Sequence, residues 1–162
     1  TLKMNRAKII ILCGIPLSGK STWAAERCEW RFDSVFVLSR DNIREKWFGK
    51  NYHQNIHDEE MVTNFFYKTL DFQVQIADTI IIDNTNCKES YIDEIFKKYP
   101  TALIEVKFFD IPLWKAYFRN VTRYVGTGKW IPPRVIKAMY KSYLKISRSK
   151  YVLMTYAHSD SF

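Results

Sequence analysis

Gly14-Ile-Pro-Leu-Ser-Gly-Lys-Ser21 fits the spacing G-x-x-x-x-G-K-[ST]. It follows the apolar run Lys8–Cys13 and precedes helix formers from Lys20 to about Arg27. Strand, glycine-rich turn and helix in that order make a cradle for phosphates, the Walker A loop. Glycines let successive backbone N–H groups turn inward, and the helix adds the positive end of its dipole. The loop Gly14, Ile15, Pro16, Leu17, Ser18 and Gly19 is expected to wrap the anion. Lys20 would reach the β- and γ-phosphates, and Ser21 would offer its hydroxyl to Mg²⁺. Thr22, in the first helical turn, adds an N–H and a hydroxyl nearby. The chemistry implied is binding of ATP or GTP.

Three further groups stand where they could act on a bound triphosphate. Asp41 and Arg44 lie in Ser39-Arg-Asp-Asn-Ile-Arg44, where a strand meets a helix start. In a parallel sheet all carboxyl ends open on one edge, so Asp41 is expected to face the phosphates. It would take the proton of an attacking hydroxyl, or else simply cap the helix. Arg44, one turn on, would hold an anionic group of the acceptor, or else stand as a surface cation. Asp83, ending the apolar run Thr79–Asp83, has the place of a Walker B acid that helps hold Mg²⁺; a turn residue is the alternative. Arg119 and Arg123, spaced i and i+4 at a helix end before a glycine-containing loop, would close on the transferring phosphoryl group, or else belong to a solvated face. Trp130 would pack, or stack on a base. His53 and His57 have no nearby cysteine or histidine to complete a metal site.

The elements that must position these residues follow from periodicity. Strands are expected at Lys8–Cys13, Ser34–Leu38, Thr79–Asp83 and Ala102–Phe109, the first and third of them buried. Helices are expected from Asp58 to about Ala77 with an apolar face through Met61, Phe65 and Leu70, and around Ile92, Ile95 and Phe96 after a capping signal at Ser90–Asp93. A short helix near Leu113–Val121 precedes the loop Tyr124–Ile131. A helix opening at Pro132-Pro133 then carries Val135, Ile136, Met139, Tyr143 and Leu144. Tyr151–Tyr156 reads equally as strand, docked tail or disorder. Strands alternating with helices predict an α/β sandwich with a parallel sheet.

The chain has 162 residues, 47 % hydrophobic and 26 % charged, with a net charge of +8. That length suits one domain: a core over about 8–112, a lid and C-terminal helices over about 113–147, and a tail. No apolar run reaches the ~20 residues of a membrane span. Three scattered cysteines make neither a disulfide framework nor a zinc site, which points to a cytoplasmic protein. Charge is distributed unevenly. Residues 1–106 hold 14 basic and 15 acidic side chains, whereas residues 107–150 hold 11 basic ones and only Asp110, a net of +10. Such a field attracts polyanions.

Taken in order, Gly14–Ala24, Ser39–Arg44, Ile80–Asn86, Phe108–Pro112, Arg119–Arg123 and Ile131–Ser142 resemble the polynucleotide 5′-hydroxyl kinases of phage and bacterial end healing. The resemblance runs from about Lys8 to Ile146. It implies a three-layer, kinase-type P-loop fold with a four-stranded parallel core and a helical lid. It also implies ATP and Mg²⁺ as cofactors and transfer of the γ-phosphoryl to a 5′-OH end of RNA or DNA. Lys20 and Ser21 match the family's loop residues, Asp41 its general base, Arg44 its acceptor-phosphate ligand, and Arg119 and Arg123 its lid arginines. Asp83 satisfies the form D-x-T-N, while Asn84 stands where a variant form has its acid. No D-x-D-G-T phosphatase motif is present, so the chain resembles a stand-alone kinase or a kinase module of something longer. Two rivals stand beside this reading: a related P-loop kinase acting on a small molecule, a sugar nucleotide or a tRNA-borne aminoacyl group, and a non-catalytic ATP-binding module.

Overall fold

Ile9 to Cys13 are all buried, and an uninterrupted apolar strand of this kind needs cover on both faces and both edges. In the computed structural model, which describes residues 6–29, 34–49, 55–85 and 87–160, it has that cover. Lys8–Cys13 (β1) pairs in parallel with Thr79–Asp83 (β3) on one side and Leu103–Phe108 (β4) on the other. Val35–Leu38 (β2) continues the sheet beyond β3, giving the order β2-β3-β1-β4. The register sets Leu12 beside Asp83, Leu38 beside Ile82 and Cys13 beside Phe108, so the carboxyl ends of all four strands share one edge.

Among the described residues seven helices connect and flank the strands: Lys20–Glu29 (α1), Arg40–Phe48 (α2), Ile56–Ile76 (α3), Glu89–Lys98 (α4), Leu113–Thr127 (α5), Pro133–Leu144 (α6) and Arg148–Asp160 (α7). They divide unequally between the two faces of the sheet. Ile9, Ile11, Ile80, Ile82 and Ile104 pack with residues of α2 to α7, including Ile43, Phe66, Ile92, Ala116, Ile136 and Tyr151. Ile10, Leu12 and Ile81, on the opposite face, meet Ala24 and Trp23 of α1. The expected three layers are present, with one of them built around α1. No helix among the described residues is long and apolar enough to cross a membrane.

Several boundaries and faces depart from the sequence reading. In α3 the buried residues are Val62, Phe66 and Leu70, while Met61 and Phe65 are exposed. The expected face is therefore right at Leu70 and wrong at Met61 and Phe65, where packing on the sheet selected the adjacent Val62 and Phe66. The Ser90–Asp93 capping signal is not used, since α4 starts at Glu89 after Lys88, which makes no side-chain cap. Ile92, Ile95 and Phe96 are buried as expected. Helix α5 runs six residues past Val121 and ends only where Gly128, at φ 75°, caps it by donating to the Tyr124 carbonyl at 2.8 Å. Arg123 is therefore inside a helix and not at its end. Leu144 of α6 is exposed, whereas Ile136 and Tyr143 are buried.

The ambiguous tail is helix α7. Its anchor is Tyr151, whose hydroxyl donates to Asp93 Oδ1 at 2.9 Å while its ring is 1 % exposed. Lys150 adds ion pairs to Glu89 and Asp93 at 3.2 and 3.0 Å. A residue of α4 must already be in place for either contact, so local sequence carried no sign of them. His53 lies outside the described residues, as does Asn86; His57 is exposed in the first turn of α3.

Gly126 sits within α5 with nothing within 4 Å of where a Cβ would stand, and its φ is not positive. Gly126→Ala is accordingly expected to raise the unfolding free energy by about 0.5–1 kcal/mol, the helical cost of glycine relative to alanine. Urea unfolding measures it, and a loss of stability would contradict the helical assignment past Val121.

Candidate active site

The phosphate loop is held from below by backbone hydrogen bonds. Gly14 N–H donates to the Thr85 carbonyl at 3.0 Å, and Phe109 N–H donates to the Cys13 carbonyl at 2.9 Å. The loop then turns through two left-handed residues, Leu17 at φ 72° and Gly19 at φ 98°. Gly14 is required for a different reason, which is space. A Cβ there would stand 2.9 Å from Ser18 Oγ and 3.0 Å from both the Cβ and the carbonyl oxygen of Phe109. The hydrogen-bond ladder of α1 starts with Trp23 N–H donating to Gly19 O, which leaves the amides of Lys20, Ser21 and Thr22 as the helix's unpaired first turn. Ser18 Oγ is buried without a hydrogen-bond partner. An orphaned hydroxyl beside unpaired amides is what a bound polyphosphate would satisfy, so the loop fits such a ligand.

Lys20 is 7 % exposed, and its ammonium donates to the carbonyls of Gly14 and Ile15 at 2.8 and 2.9 Å. Burial lowers its pKa, and the fields of Asp83 and Asp41 oppose that shift. Both carboxylates therefore act on the lysine at electrostatic range. Ser21 Oγ donates to Asp83 Oδ2 at 2.7 Å across 62 residues of sequence. A hydroxyl and a carboxylate brought together at the phosphate loop are the hard oxygen ligands that Mg²⁺ prefers, so this pair fits the metal.

Asp41 is in the first turn of α2, but it is not the cap. That role belongs to Ser39, whose Oγ accepts from Asn42 N–H at 3.3 Å. The Asp41 side chain is 81 % exposed and accepts a hydrogen bond from Arg44 Nη1 at 2.6 Å. Arg44 in turn donates from Nε and Nη2 to the two oxygens of Glu59, at 2.7 and 2.8 Å. Burial works against the Arg44 charge, and the hydrogen bonds and fields of Glu59 and Asp41 more than offset it, raising its pKa. Glu59 is thus a site residue that sequence reading missed. Its only sequence sign was membership of the acidic run at the start of α3.

Asn84, which stands where a variant motif has its acid, has a contact that the sequence did not show. Its Oδ1 accepts from Arg40 N–H at 2.8 Å, pinning the start of α2 to the end of β3. Arg40 adds a hydrogen bond to Thr63 at 3.1 Å and lies over the Phe66 ring at 4.8 Å.

The two lid arginines divide their reach. Arg119 Nη1 donates to the Leu17 carbonyl in the phosphate loop at 2.8 Å. Arg123 has its Nε buried without a partner, and its pKa is lowered by burial, with the Asp41 field opposing. Between them Asn120, fully buried, donates to the Ile131 carbonyl at 2.7 Å and accepts from Ile131 N–H at 3.2 Å. This closed pair fixes the start of α6 against α5. Lys129 reaches Glu45 of α2 at 3.6 Å. Trp130 is half-exposed and meets Tyr124 edge-on at 5.6 Å.

Gly14→Ala is expected to leave the fold intact and weaken nucleoside triphosphate binding at least ~10-fold, because the new methyl group must displace Ser18 or the Phe109 backbone. Titration calorimetry with a non-hydrolysable triphosphate reads this directly; unchanged affinity would show that the loop tolerates the displacement.

The AAA domain family model matches residues 9–145. L-seryl-tRNA(Sec) kinase of Methanococcus maripaludis is 29 % identical over 144 residues, covering 83 % of this chain and 52 % of the relative. The putative bifunctional polynucleotide kinase/RNA ligase of Autographa californica nuclear polyhedrosis virus is 24 % identical over 167 residues, covering 93 % of this chain and 23 % of the relative. The chain thus spans about half of one of these relatives and a quarter of the other. Among solved structures, a chain of the Pnkp1/Rnl/Hen1 RNA repair complex superposes with a TM-score of 0.73 at 25 % identity, covering 100 % of this chain and 48 % of that one. Matched along most of its length, the chain belongs to the AAA domain family and is a kinase-type P-loop domain related to the polynucleotide kinases.

Proposed function

We propose that this chain is an ATP- and Mg²⁺-dependent polynucleotide kinase that phosphorylates the 5′-OH end of RNA or DNA. The observation that carries the reading is Asp41: an exposed carboxylate in the first turn of α2, at the carboxyl edge of the sheet, that is not used as a helix cap and is held by Arg44 Nη1 at 2.6 Å. A carboxylate at that position can accept the proton of an incoming alcohol as its oxygen attacks the terminal phosphorus.

The bound nucleotide supplies the electrophilic phosphorus and an ADP leaving group, with Mg²⁺ drawing charge from the phosphate oxygens. The protein supplies the rest. Lys20 and the amides of the loop hold the β- and γ-phosphates, and Ser21 with Asp83 would hold the metal. Asp41 takes the hydroxyl proton while the new O–P bond forms in line with the bond that breaks. The bidentate Arg44–Glu59 pair keeps the Arg44 guanidinium, and through it Asp41, in one orientation. Arg44 spends its Nε and Nη2 on Glu59, so an acceptor phosphate would share the guanidinium with Asp41 at Nη1. Arg119 and Arg123 neutralise charge on the phosphoryl group in flight.

A kinase acting on a seryl-tRNA hydroxyl is the second reading, favoured by the 29 % identity to such an enzyme. It uses the same carboxylate and the same loop and differs only in which alcohol arrives. A cytoplasmic location and a single P-loop domain accompany either reading.

Incubation with γ-labelled ATP and, in parallel, 5′-OH RNA, 5′-OH DNA and seryl-tRNA decides among them. Label on the oligonucleotide ends is expected, and label on seryl-tRNA alone would establish the second reading. Asp41→Asn should retain ATP binding and lose at least ~10²-fold in turnover, the usual contribution of a general base. Tight ATP binding with no transfer to any acceptor would mark a non-catalytic module.

A further inference from the structure

Helix α6 carries Arg134, Lys137 and Lys141, with Lys145 at its C-cap, at steps of three and four residues. That spacing puts all four on one face, and all four are exposed. The buried residues Ile136 and Tyr143 mark the opposite face. At about 1.5 Å per residue the row is roughly 16 Å long. None of the four has an ion pair or side-chain hydrogen bond among the described residues. Some cations elsewhere on the surface are compensated, as in Lys8–Glu105, Lys98–Glu94 and Lys150–Glu89. Around α6 no nearby stretch of the chain can supply a partner, because the sequence contains no Asp or Glu from 111 to 159.

This row is also tied to the site. The Asn120–Ile131 hydrogen bonds fix the head of α6 to the helix that carries Arg119 and Arg123. Lys129 joins the same connection to α2, which carries Asp41. A half-exposed Trp130 ring stands four residues before Arg134, where it can stack on a base.

We propose that the outward face of α6, through Arg134, Lys137, Lys141 and Lys145, binds the phosphates of the acceptor strand downstream of its reacting end. The proposal rests on the reading of the acceptor as a nucleic acid and adds where its body lies. Unpaired, regularly spaced cations bind a polyanion by releasing its condensed counterions, at little cost because no intramolecular ion pair must first be broken. Recognition is of backbone charge, so it is independent of base sequence.

The test is the salt dependence of binding of a fluorescein-labelled 20-nucleotide 5′-OH single strand, followed by anisotropy. Replacing all four residues (Arg134→Gln, Lys137→Gln, Lys141→Gln, Lys145→Gln) is expected to flatten the slope of log affinity against log salt by about 3, from four contacts at about 0.7 each for a single strand. A charge-keeping set (Arg134→Lys, Lys137→Arg, Lys141→Arg, Lys145→Arg) should restore the slope, which separates charge from folding. An unchanged slope in the neutral set overturns the proposal, as does binding to vesicles of anionic lipid with none to the oligonucleotide. The anisotropy readout does not depend on turnover. A flattened slope in a protein that labels no 5′ end would uphold this binding face while removing the polynucleotide kinase reading.

Discussion

Parallel pairing of β1 between β3 and β4 is the constraint on which the site depends. Parallel strands must all run to the same edge, and here the register brings Leu12 beside Asp83 and Cys13 beside Phe108. The phosphate loop leaves from Cys13, Asp83 ends β3, and Ser39 opens α2 just past Leu38. Each arrives at that edge because its strand does. The hydrogen bonds Gly14 N–H to Thr85 O and Arg40 N–H to Asn84 Oδ1 then lock adjacent strand ends together. Both faces of β1 and β3 are apolar, so a slip of one residue would cost little burial; it would instead break these strand-end hydrogen bonds and the Ser21–Asp83 contact, which tie the register to the polar edge.

Within that edge the charges are arranged in a chain. Lys20 is buried among loop carbonyls, Asp83 is bonded to Ser21, and Asp41 is linked through Arg44 to Glu59. Partly buried ion pairs contribute modestly to stability, because desolvation offsets much of the Coulomb gain. Their value here is orientation. The bidentate Arg44–Glu59 contact removes rotamer freedom from the guanidinium, and Asp41, otherwise exposed, inherits a preferred position from it. The lid adds two further cations from one helix, one seated on the loop and one under the influence of Asp41.

The lid and the two helices after it differ in electrostatic character from the core. Up to residue 106 the acids and bases nearly balance, and many pair at the surface. From 111 to 159 no carboxylate is present. The cations of this region that find partners reach acids from the earlier part of the chain: Lys129 to Glu45, Arg148 to Asp110, and Lys150 to Glu89 and Asp93. These contacts fasten the helices of the C-terminal region to the sheet, and the outward row on α6 is left without acidic partners among the described residues.

Much of this was legible in the order of residues. Continuous apolar runs ending at Gly14 and Asp83 marked two strands buried on both faces, and the run ending at Ser39 marked the half-exposed edge strand β2. The loop spacing marked the phosphate cradle, and the strand-to-helix junction marked Asp41, because these signals are local in the chain. What the sequence left open was decided by contacts between distant segments. Periodicity pointed to Phe65 for the face of α3, and packing on the sheet buried Phe66 instead. The tail, ambiguous in sequence, is a helix docked by Tyr151 and Lys150 on Glu89 and Asp93 of α4. Glu59, Asn84 and Asn120 serve the site through partners 15, 44 and 11 residues away. Local pattern reports backbone propensity and which residues favour burial; which polar side chains meet is set by the packing of whole elements, and that exists only once the chain has folded.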